Sequence, residues 1–311
     1  MSHYHAGELT VQERAGLRAD AAHIEPAIGA MIPPVAAEFL AAQPMLAVSA
    51  RDAAGRLWGT LLTGPPGFIR ARDERRIHVD ARPTIDDPLA TALGGTHTRI
   101  GSIAIEPSRR RRMRVNGTAH PDGAGLLIEV DQVYANCPKH IQKRTPEQVR
   151  RPKPSPSKRG HALTRSQCQW LSTADTLFIA TSDADGNCDM SHRGGNPGFV
   201  DVQSAKRLHL PDYVGNAMFM TLGNLATNPV AGLLVPDWST GDLLHLTGTA
   251  RVIWDPIQLA RVPGAQRLVE FDIAGVLERA AASPLRWTTP EYSRSNPEVR
   301  SHPEAEEVSS P

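Results

Sequence analysis

The feature that most constrains the fold of this chain is an internal repeat with a constant offset of 131 residues. The matches begin at Phe39, which aligns with Trp170, and reach Ala119, which aligns with Ala250. The longer matching segments are 52–55 with 183–186, 66–68 with 197–199, and 117–119 with 248–250. Because one offset holds over this whole span, and because glycines recur at matching turns, each half is expected to fold as the same small domain.

The pattern inside each repeat is typical of a mainly β domain with peripheral helices. The chain has 25 Gly and 26 Pro and is only 5% aromatic, which indicates short strands and many turns rather than a helical bundle. Strands are predicted over residues 45–50, 57–63, 76–79, 100–105, 113–118, 126–133 and 176–181. Short antiparallel strands hide their edges by closing into a barrel, and two such units in one chain can pack as an internal pseudo-dimer.

Several helices are expected around these strands. Capping-box patterns at Thr10 with Glu13, and at Thr164 with Gln167, each predict the start of a helix. Further helices are predicted over residues 35–43, 86–93, 137–144 and 217–226.

This organisation predicts five segments. They are a helical leader over 1–38, a first barrel over 39–144, a linker over 145–160, a second barrel over 161–291 and a disordered tail over 292–311. The linker has four prolines and five basic residues, a composition typical of an extended, solvated connection. The alternative is an arm that binds nucleic acid or an acidic partner, and it is disfavoured because no aromatic residue is interleaved to stack on bases.

Charge and cysteine content argue against several classes of function. The net charge of +1 and the pI of about 7.9 create no global field that would attract nucleic acid. The three cysteines lack CxxC spacing, so we expect reduced thiols in a cytoplasmic protein rather than a disulfide framework or a cysteine-rich zinc site. The first residues do not have the pattern of a signal peptide, and no apolar run is long enough for a membrane span.

A cluster of polar and small residues in the second repeat is the candidate ligand site. Ser191 and Arg193 alternate on a predicted strand, so their side chains are expected on the same side. The adjacent Gly194 would allow a close approach to the backbone. Thr221 and Asn224 are three residues apart on a predicted helix and therefore share a face.

Structural explanations for these residues remain open. Arg193 could be a solvated surface charge, and Asp212 and Asn216 could be ordinary turn and cap residues. His192 points away from Ser191 and is expected to be structural. The histidines at positions 3 and 5 are interpreted as part of a frayed terminus rather than as a metal site.

Four segments of the second repeat resemble the pyridoxamine 5′-phosphate oxidase-like, FMN-binding split-barrel family. They are residues 189–200, 210–216, 220–229 and 244–250. In the first repeat, residues 64–68, 114–117 and 136–142 resemble the same family, and residues 5–16 resemble the leader of a subgroup that often continues into ferredoxin-reductase-type domains. Residues 284–311 contain no clear counterpart of the substrate segment of true pyridoxamine phosphate oxidases, which argues against vitamin B6 oxidation.

The resemblance implies two tandem FMN-binding split β-barrels and a flavin site that draws on both. The implied cofactor-binding residues are Ser191, Arg193, Gly194, Asp212, Asn216, Thr221 and Asn224 from the second repeat and Lys139 from the first. At the 131-residue offset, Ser191 and Arg193 are replaced by Thr60 and Leu62, so the phosphate-binding set is largely lost in the first repeat. The hypothesis is therefore one asymmetric FMN site, to which Lys139 and Arg114 of the first repeat contribute.

The activity expected from this resemblance is that of an FMN-dependent oxidoreductase acting on an unidentified small molecule or redox partner. No side chain stands out as an acid or base, so no catalytic residue is assigned. The alternatives are a non-enzymatic flavin carrier or sensor, and a haem- or deazaflavin-binding split barrel. The arginine run over residues 109–114 is interpreted either as a charged strand edge or as a contact for an acidic electron donor. A further homodimer is compatible with this organisation.

Overall fold

A computed structural model describes residues 3–149 and 156–299 of the 311-residue chain. The α-helices are α1 Ala6–Arg14, α2 Arg18–Ile24, α3 Pro34–Ala41, α4 Arg165–Thr173, α5 Met220–Thr227 and α6 Pro256–Leu259, with 3-10 turns at Glu25–Ala27 and Pro107–Arg109. The strands of the first repeat are β1 Met45–Arg51, β2 Leu57–Thr63, β3 Ile69–Ala71, β4 Arg76–Val79, β5 Thr98–Glu106, β6 Arg111–Asp122 and β7 Gly125–Ala135. The remaining strands are β8 Pro146–Val149, β9 Lys158–Gly160, β10 Thr176–Ser182, β11 Cys188–Gly194, β12 Asp201–Ser204, β13 Arg207–Asp212, β14 Val230–Pro236, β15 Leu243–Ile253, β16 Arg267–Arg279 and β17 Leu285–Trp287.

The two repeats form antiparallel sheets with the same strand order. The first sheet has the order β2-β1-β5-β6-β7-β4-β3, and the second has β11-β10-β14-β15-β16-β13-β12, with β9 added beside β16. The register shifts between Asn116 and Gly117 in one sheet and between Thr247 and Gly248 in the other, which are positions 131 residues apart. The predicted fold class, mainly β with two tandem split barrels, is confirmed.

The two barrels pack against each other through an apolar core of their own. Leu57 and Ile103 of the first repeat lie in one buried cluster with Phe178 and Leu234 of the second, and all four are fully buried. Burying one such side chain contributes about 1.5–3 kcal/mol, so the cluster holds the repeats together as a pseudo-dimer.

A matched pair of glycines allows the two backbones to approach at this interface. A Cβ on Gly101 would lie 2.4 Å from the Cα of Asp189, and a Cβ on Gly232 would lie 2.5 Å from the carbonyl oxygen of Leu57. These glycines are 131 residues apart, so both repeats use the same position for the close contact.

The helical leader begins earlier than its sequence predicts, and the capping box at Thr10 and Glu13 is wrong. His5 caps α1 by accepting a hydrogen bond from the Gly7 amide (3.1 Å), while Glu8 accepts one from the His5 amide (2.9 Å). Histidine is an unusual cap residue, which is why the sequence pattern misses it. His5 is therefore held in place rather than frayed, and its ring also reaches Asn224 (2.9 Å).

Three other helix predictions need correction, while the capping box at Thr164 and Gln167 is confirmed as the start of α4. Residues 137–144 form no helix, because His140 has a positive φ of 64° and the segment runs on to an isolated bridge with Glu291. Residues 86–93 form turns instead of a helix. Helix α5 begins at Met220 instead of 217, since positive φ values at Ala217 (59°) and Phe219 (61°) interrupt a helical start.

The linker and tail predictions fall partly outside the described residues. The described ends of the linker are strands, because β8 pairs with β17 and β9 pairs with β16, whereas residues 150–155 lie outside the described part. In the tail, Asn296 donates hydrogen bonds to Asn196 (3.0 Å) and Gln142 (2.9 Å), and residues 300–311 lie outside the described part.

The three cysteines, Cys137, Cys168 and Cys188, are unpaired. No helix within residues 3–149 and 156–299 has both the length and the apolar character required to cross a membrane.

Candidate functional site

A cleft of about 460 Å³ lies where the two repeats and the leader meet. Its walls come from β6 and the following 136–140 segment in the first repeat, and from the end of β11 and the 211–222 segment in the second. Five cationic side chains line it (Arg112, Arg114, Lys139, Arg193 and Arg267), against two acidic ones (Asp20 and Asp212). The cleft is therefore a basic pocket of the size typical of a small-molecule site.

Asp212 holds two of these arginines in place. Its Oδ1 accepts a hydrogen bond from Nη1 of Arg193 (2.5 Å), and its Oδ2 accepts one from Nε of Arg267 (2.8 Å). The guanidinium of Arg267 also lies over the ring of Phe219, 4.8 Å from its centroid. One carboxylate cannot neutralise two guanidinium groups, so this end of the cleft keeps a positive charge.

Arg114 is neutralised by a buried carboxylate. Its Nη1 lies 3.0 and 3.1 Å from the two oxygens of Asp189, and the hydroxyl of Tyr134 lies 3.3 Å from Oδ1. Burial lowers the pKa of Arg114, but the charge of Asp189 outweighs this effect and the pKa is raised. Arg114 is therefore a charged group whose charge is already compensated within the protein.

The same carboxylate connects the strand to helix α5. The hydroxyl of Ser191 donates its single proton to Oδ2 of Asp189 (3.1 Å). In the hydrogen bond between the hydroxyls of Ser191 and Thr221 (2.7 Å), Thr221 is therefore the donor. Ser191 is buried behind the cleft wall, whereas Thr221 lines the cleft. This chain of hydrogen bonds aligns the first turn of α5 with β11.

Arg112 differs from its neighbours because it forms no ion pair with any carboxylate of the described residues. Its Nη1 donates to Nδ1 of His192 (2.7 Å), and its Nε is sealed from solvent without a hydrogen-bond partner. Burial lowers the pKa of Arg112 to about 9, assisted by the nearby charges of Arg114 and Arg193. Arg112 is thus an uncompensated cation, and such a group favours an anionic ligand.

The first turn of α5 forms the opposite wall. Helix α5 starts after Phe219 without a side-chain cap, and Met220, Thr221 and Leu222 all line the cleft. Amide groups at the start of an uncapped helix favour an anion. The left-handed backbone at Ala217 and Phe219 costs about 1–3 kcal/mol per residue, and strain of this kind is concentrated at ligand sites.

Six of the eight residues predicted from the sequence line this cleft: Arg193, Gly194, Asp212, Asn216, Thr221 and Lys139. Lys139 lies on an irregular segment rather than on the predicted helix. Asn216 accepts a hydrogen bond from the amide of Met218 (3.3 Å), which supports the loop before α5. Asn224 does not line the cleft, because its side chain donates to Thr181 (3.0 Å) and accepts from His5.

The role of Gly194 also differs from the expected one. A Cβ at this position would lie 2.1 Å from the carbonyl oxygen of His140, so the glycine is needed where the first repeat crosses the second. The close approach that the sequence predicts therefore exists, but the approaching group is the backbone of the first repeat.

An aromatic pair crosses the boundary between the repeats. The rings of His140 and Tyr213 lie 5.0 Å apart at an angle of 36°. Burial lowers the pKa of His140 and raises the pKa of Tyr213 to about 12, so both side chains are neutral at physiological pH. They add a flat, uncharged surface to an otherwise basic cleft.

Sequence reasoning missed Arg112, Asp189 and Tyr213 as individual residues of the site. Asp189 and Tyr213 both lie in segments that resemble the family, and Arg112 lies in the arginine run. Alternation along β6 would have placed Arg112 and Arg114 on the same side. Only the structure shows that Arg114 has a carboxylate partner and Arg112 does not.

At the equivalent positions of the first repeat, side chains of the chain itself pair with one another. The hydroxyl of Thr60 donates to Asp87, and Arg279 donates to the same carboxylate (2.7 Å) and to Asp86 (3.0 Å). The position of Arg112 is taken by Leu243 at the 131-residue offset. The chain's own carboxylates and arginine therefore occupy the place where the second repeat has uncompensated positive charge.

Comparisons with known proteins support the resemblance for the second repeat. Residues 163–285 match the family model described as pyridoxamine 5′-phosphate oxidase, so the family prediction is confirmed for this part of the chain. No curated protein matches the chain.

Solved structures similar to the chain include three proteins of bacterial origin. A putative pyridoxamine 5′-phosphate oxidase from Lactobacillus delbrueckii has 21% identity and a TM-score of 0.32, with 37% of this chain and 93% of that chain covered. An FAD-binding protein from Mycobacterium smegmatis has 18% identity and a TM-score of 0.27, with 39% and 99% covered. A conserved hypothetical protein from Mycobacterium tuberculosis has 16% identity and a TM-score of 0.28, with 46% and 95% covered.

Proposed function

We propose that this chain, whose second repeat belongs to the pyridoxamine 5′-phosphate oxidase-like family, binds one phosphorylated flavin in the basic cleft between its repeats. FMN is the proposed flavin, and oxidoreduction of an unidentified small molecule or redox partner is the proposed activity. The observation that carries the proposal is the uncompensated Arg112, which lines the same cleft as the uncapped start of α5. A phosphate monoester carries nearly two negative charges and suits this combination.

The residues of the cleft fit such a ligand. Arg112, Arg193 and the first turn of α5 would bind the phosphate, and Lys139 would add to the positive field. The neutral pair of His140 and Tyr213 would contact the uncharged part of the ligand. When bound, FMN supplies hydride or single-electron transfer, and the protein supplies its position and polarity.

A stoichiometry of one flavin per chain follows from the asymmetry of the repeats. In the first repeat, Asp86 and Asp87 already bind Arg279, and they would repel a phosphate placed there. The expected result of releasing and quantifying the flavin is one FMN per chain. Two FMN per chain would contradict the proposed asymmetry.

The proposal is tested by titrating the purified protein with FMN and by comparing two variants of β6. Arg112→Gln removes the uncompensated charge, and since charge-assisted hydrogen bonds contribute about 1.5–3 kcal/mol, FMN affinity should fall roughly 10- to 100-fold. The matched control is Arg111→Gln, because Arg111 is exposed and pairs with Glu106 (2.6 Å), and it should bind FMN normally. Protein that is colourless and does not bind added FMN would refute the proposal.

A flavin carrier or sensor is the second candidate function. It is favoured by the pairing of Asp212 with two arginines, which leaves the one carboxylate that the described residues place at this end of the cleft unavailable as an acid or base. Titration of the flavin-loaded protein with NADPH separates the two functions, since an enzyme that uses this donor would bleach the flavin absorbance and a carrier would not. The same titrations with FAD and with a deazaflavin establish which flavin is preferred.

A further inference from the structure

The side chain that holds Arg112 is a neutral histidine, although a carboxylate holds every other arginine that lines the cleft. Arg114 is bound by Asp189, and Arg193 and Arg267 are bound by Asp212. His192 lies at the centre of this basic region and is only 4% exposed. Because its partner is neutral, Arg112 is the one arginine of these four whose positive charge no carboxylate of the described residues offsets.

The geometry defines how His192 acts. Its Nδ1 accepts the hydrogen bond from Nη1 of Arg112 (2.7 Å), so the ring proton must be on Nε2. The ring meets Phe178 edge-on, with centroids 5.8 Å apart, and within the described residues Nε2 has no hydrogen-bond partner. The ring is thus fixed by packing on one side and presents a single acceptor to Arg112 on the other.

The surroundings of His192 keep it neutral. Burial lowers its pKa well below the usual value, and the charges of Arg112, Arg193 and Arg114 lower it further. A neutral ring can orient a guanidinium group without cancelling its charge. A carboxylate in the same place would form a buried ion pair and leave little net charge to attract an anion.

We infer that His192 is a positioning residue that keeps Arg112 oriented but uncompensated, and that it thereby makes the cleft selective for flavins that carry a phosphate. This inference rests on the proposed function, because it assigns a specificity to the same cleft. It predicts that a high ratio of FMN affinity to riboflavin affinity requires a side chain at position 192 that is neutral and that accepts the hydrogen bond from Arg112.

The test compares His192→Asn with His192→Asp, which have almost the same shape and differ in charge. The asparagine side chain can accept the hydrogen bond from Arg112, so His192→Asn should retain the wild-type ratio of FMN to riboflavin affinity within about threefold. His192→Asp should lower FMN affinity at least tenfold, equivalent to about 1.4 kcal/mol, and leave riboflavin affinity unchanged. Both affinities can be measured by quenching of flavin fluorescence.

A loss of FMN selectivity in both variants, or in neither, would overturn the inference. If His192→Asp does not fold, His192→Leu replaces it, because leucine removes the acceptor without adding charge. His192→Leu should lower the ratio of FMN to riboflavin affinity while His192→Asn preserves it, and an unchanged ratio in His192→Leu would also overturn the inference.

A second probe separates failure of this inference from failure of the proposed function. Inorganic pyrophosphate should raise the melting temperature of the wild type and of His192→Asn, but not that of His192→Asp. One outcome is that the wild type binds neither FMN nor riboflavin, while pyrophosphate stabilises the wild type and His192→Asn but not His192→Asp. In that case the flavin proposal fails and the role of His192 in orienting an uncompensated Arg112 stands. If pyrophosphate stabilises all three proteins equally, the role of His192 is refuted whatever the flavin result.

Discussion

The buried pair of Arg114 and Asp189 allows a quantitative test of how the repeats are joined. Asp189 lies on β11 of the second repeat and Arg114 on β6 of the first, and their side chains are only 5% and 12% exposed. Asp189 accepts hydrogen bonds from Arg114, Tyr134, Asn116 and Ser191. The substitution Asp189→Asn replaces one accepting oxygen by an amide donor and leaves the charge of Arg114 buried without a partner.

The expected cost of Asp189→Asn is about 3–5 kcal/mol, the range for breaking one side of a buried ion pair. This is a large part of the roughly 5–15 kcal/mol by which a protein is usually stable. With a urea dependence of about 2 kcal/mol per molar, the unfolding midpoint should fall by about 2 M.

The assay is urea unfolding followed by circular dichroism, with Asp185→Asn as the matched control. Asp185 is exposed on the turn before β11, so its substitution should change stability by less than about 0.5 kcal/mol. The double variant Arg114→Met with Asp189→Asn removes the stranded charge and should be more stable than the sum of the single effects predicts. An Asp189→Asn variant that loses less than about 1 kcal/mol would refute the reasoning.

Glu8, Gly194 and Arg279 each have surroundings that make a measurable contribution to stability. Burial raises the pKa of Glu8 from 4.5 to about 8, so the folded protein retains a proton that the unfolded chain releases, and stability should fall by up to about 1.4 kcal/mol per pH unit as pH rises from 5 to 8. In urea unfolding at several pH values, the free energy of unfolding should depend less on pH in Glu8→Gln than in the wild type. An identical pH dependence in both proteins would contradict the raised pKa of Glu8. Gly194→Ala should destabilise the protein by about 1–3 kcal/mol, because the added Cβ would clash with the carbonyl oxygen of His140. The control Gly215→Ala should be nearly neutral, since the nearest atom would lie 3.9 Å from its Cβ. Equal melting temperatures of the two variants would refute the close contact between Gly194 and His140. Arg279→Met should cost about 3–5 kcal/mol in urea unfolding, because it leaves the buried carboxylate of Asp87 without its charged partner. The FMN content of this variant should stay at one per chain, and a second bound FMN would contradict the account of the first repeat.

Much of the fold could be predicted from the sequence because it depends on patterns that are local or periodic. Alternating apolar residues and turn glycines predict the strands, and the constant offset predicts that both halves share one topology. The capping box at Thr164 predicts α4 for the same reason, since all its hydrogen bonds lie within four residues. The predictions that failed involve features such as the histidine cap of α1 and the positive φ values before α5, for which residue preferences are weak.

Most residues of the candidate site could also be predicted from the sequence. Family resemblance and the comparison of repeats select Arg193, Asp212, Asn216 and Thr221, and the structure brings these residues into one cleft with Lys139. The contacts that these residues make could not be predicted from the sequence. Asp212 binds arginines, and Gly194 accommodates the backbone of the first repeat.

The sequence by itself thus determined the repeated β architecture and the region where a ligand site should be sought. Only the tertiary structure decided which arginine of the run carries uncompensated charge. Arg112 and Arg114 are the same residue type, two positions apart on one strand, and no local pattern distinguishes them. Their difference comes from partners 80 and 75 residues away, a neutral His192 and an ionised Asp189, which only the packing of one repeat against the other brings into contact.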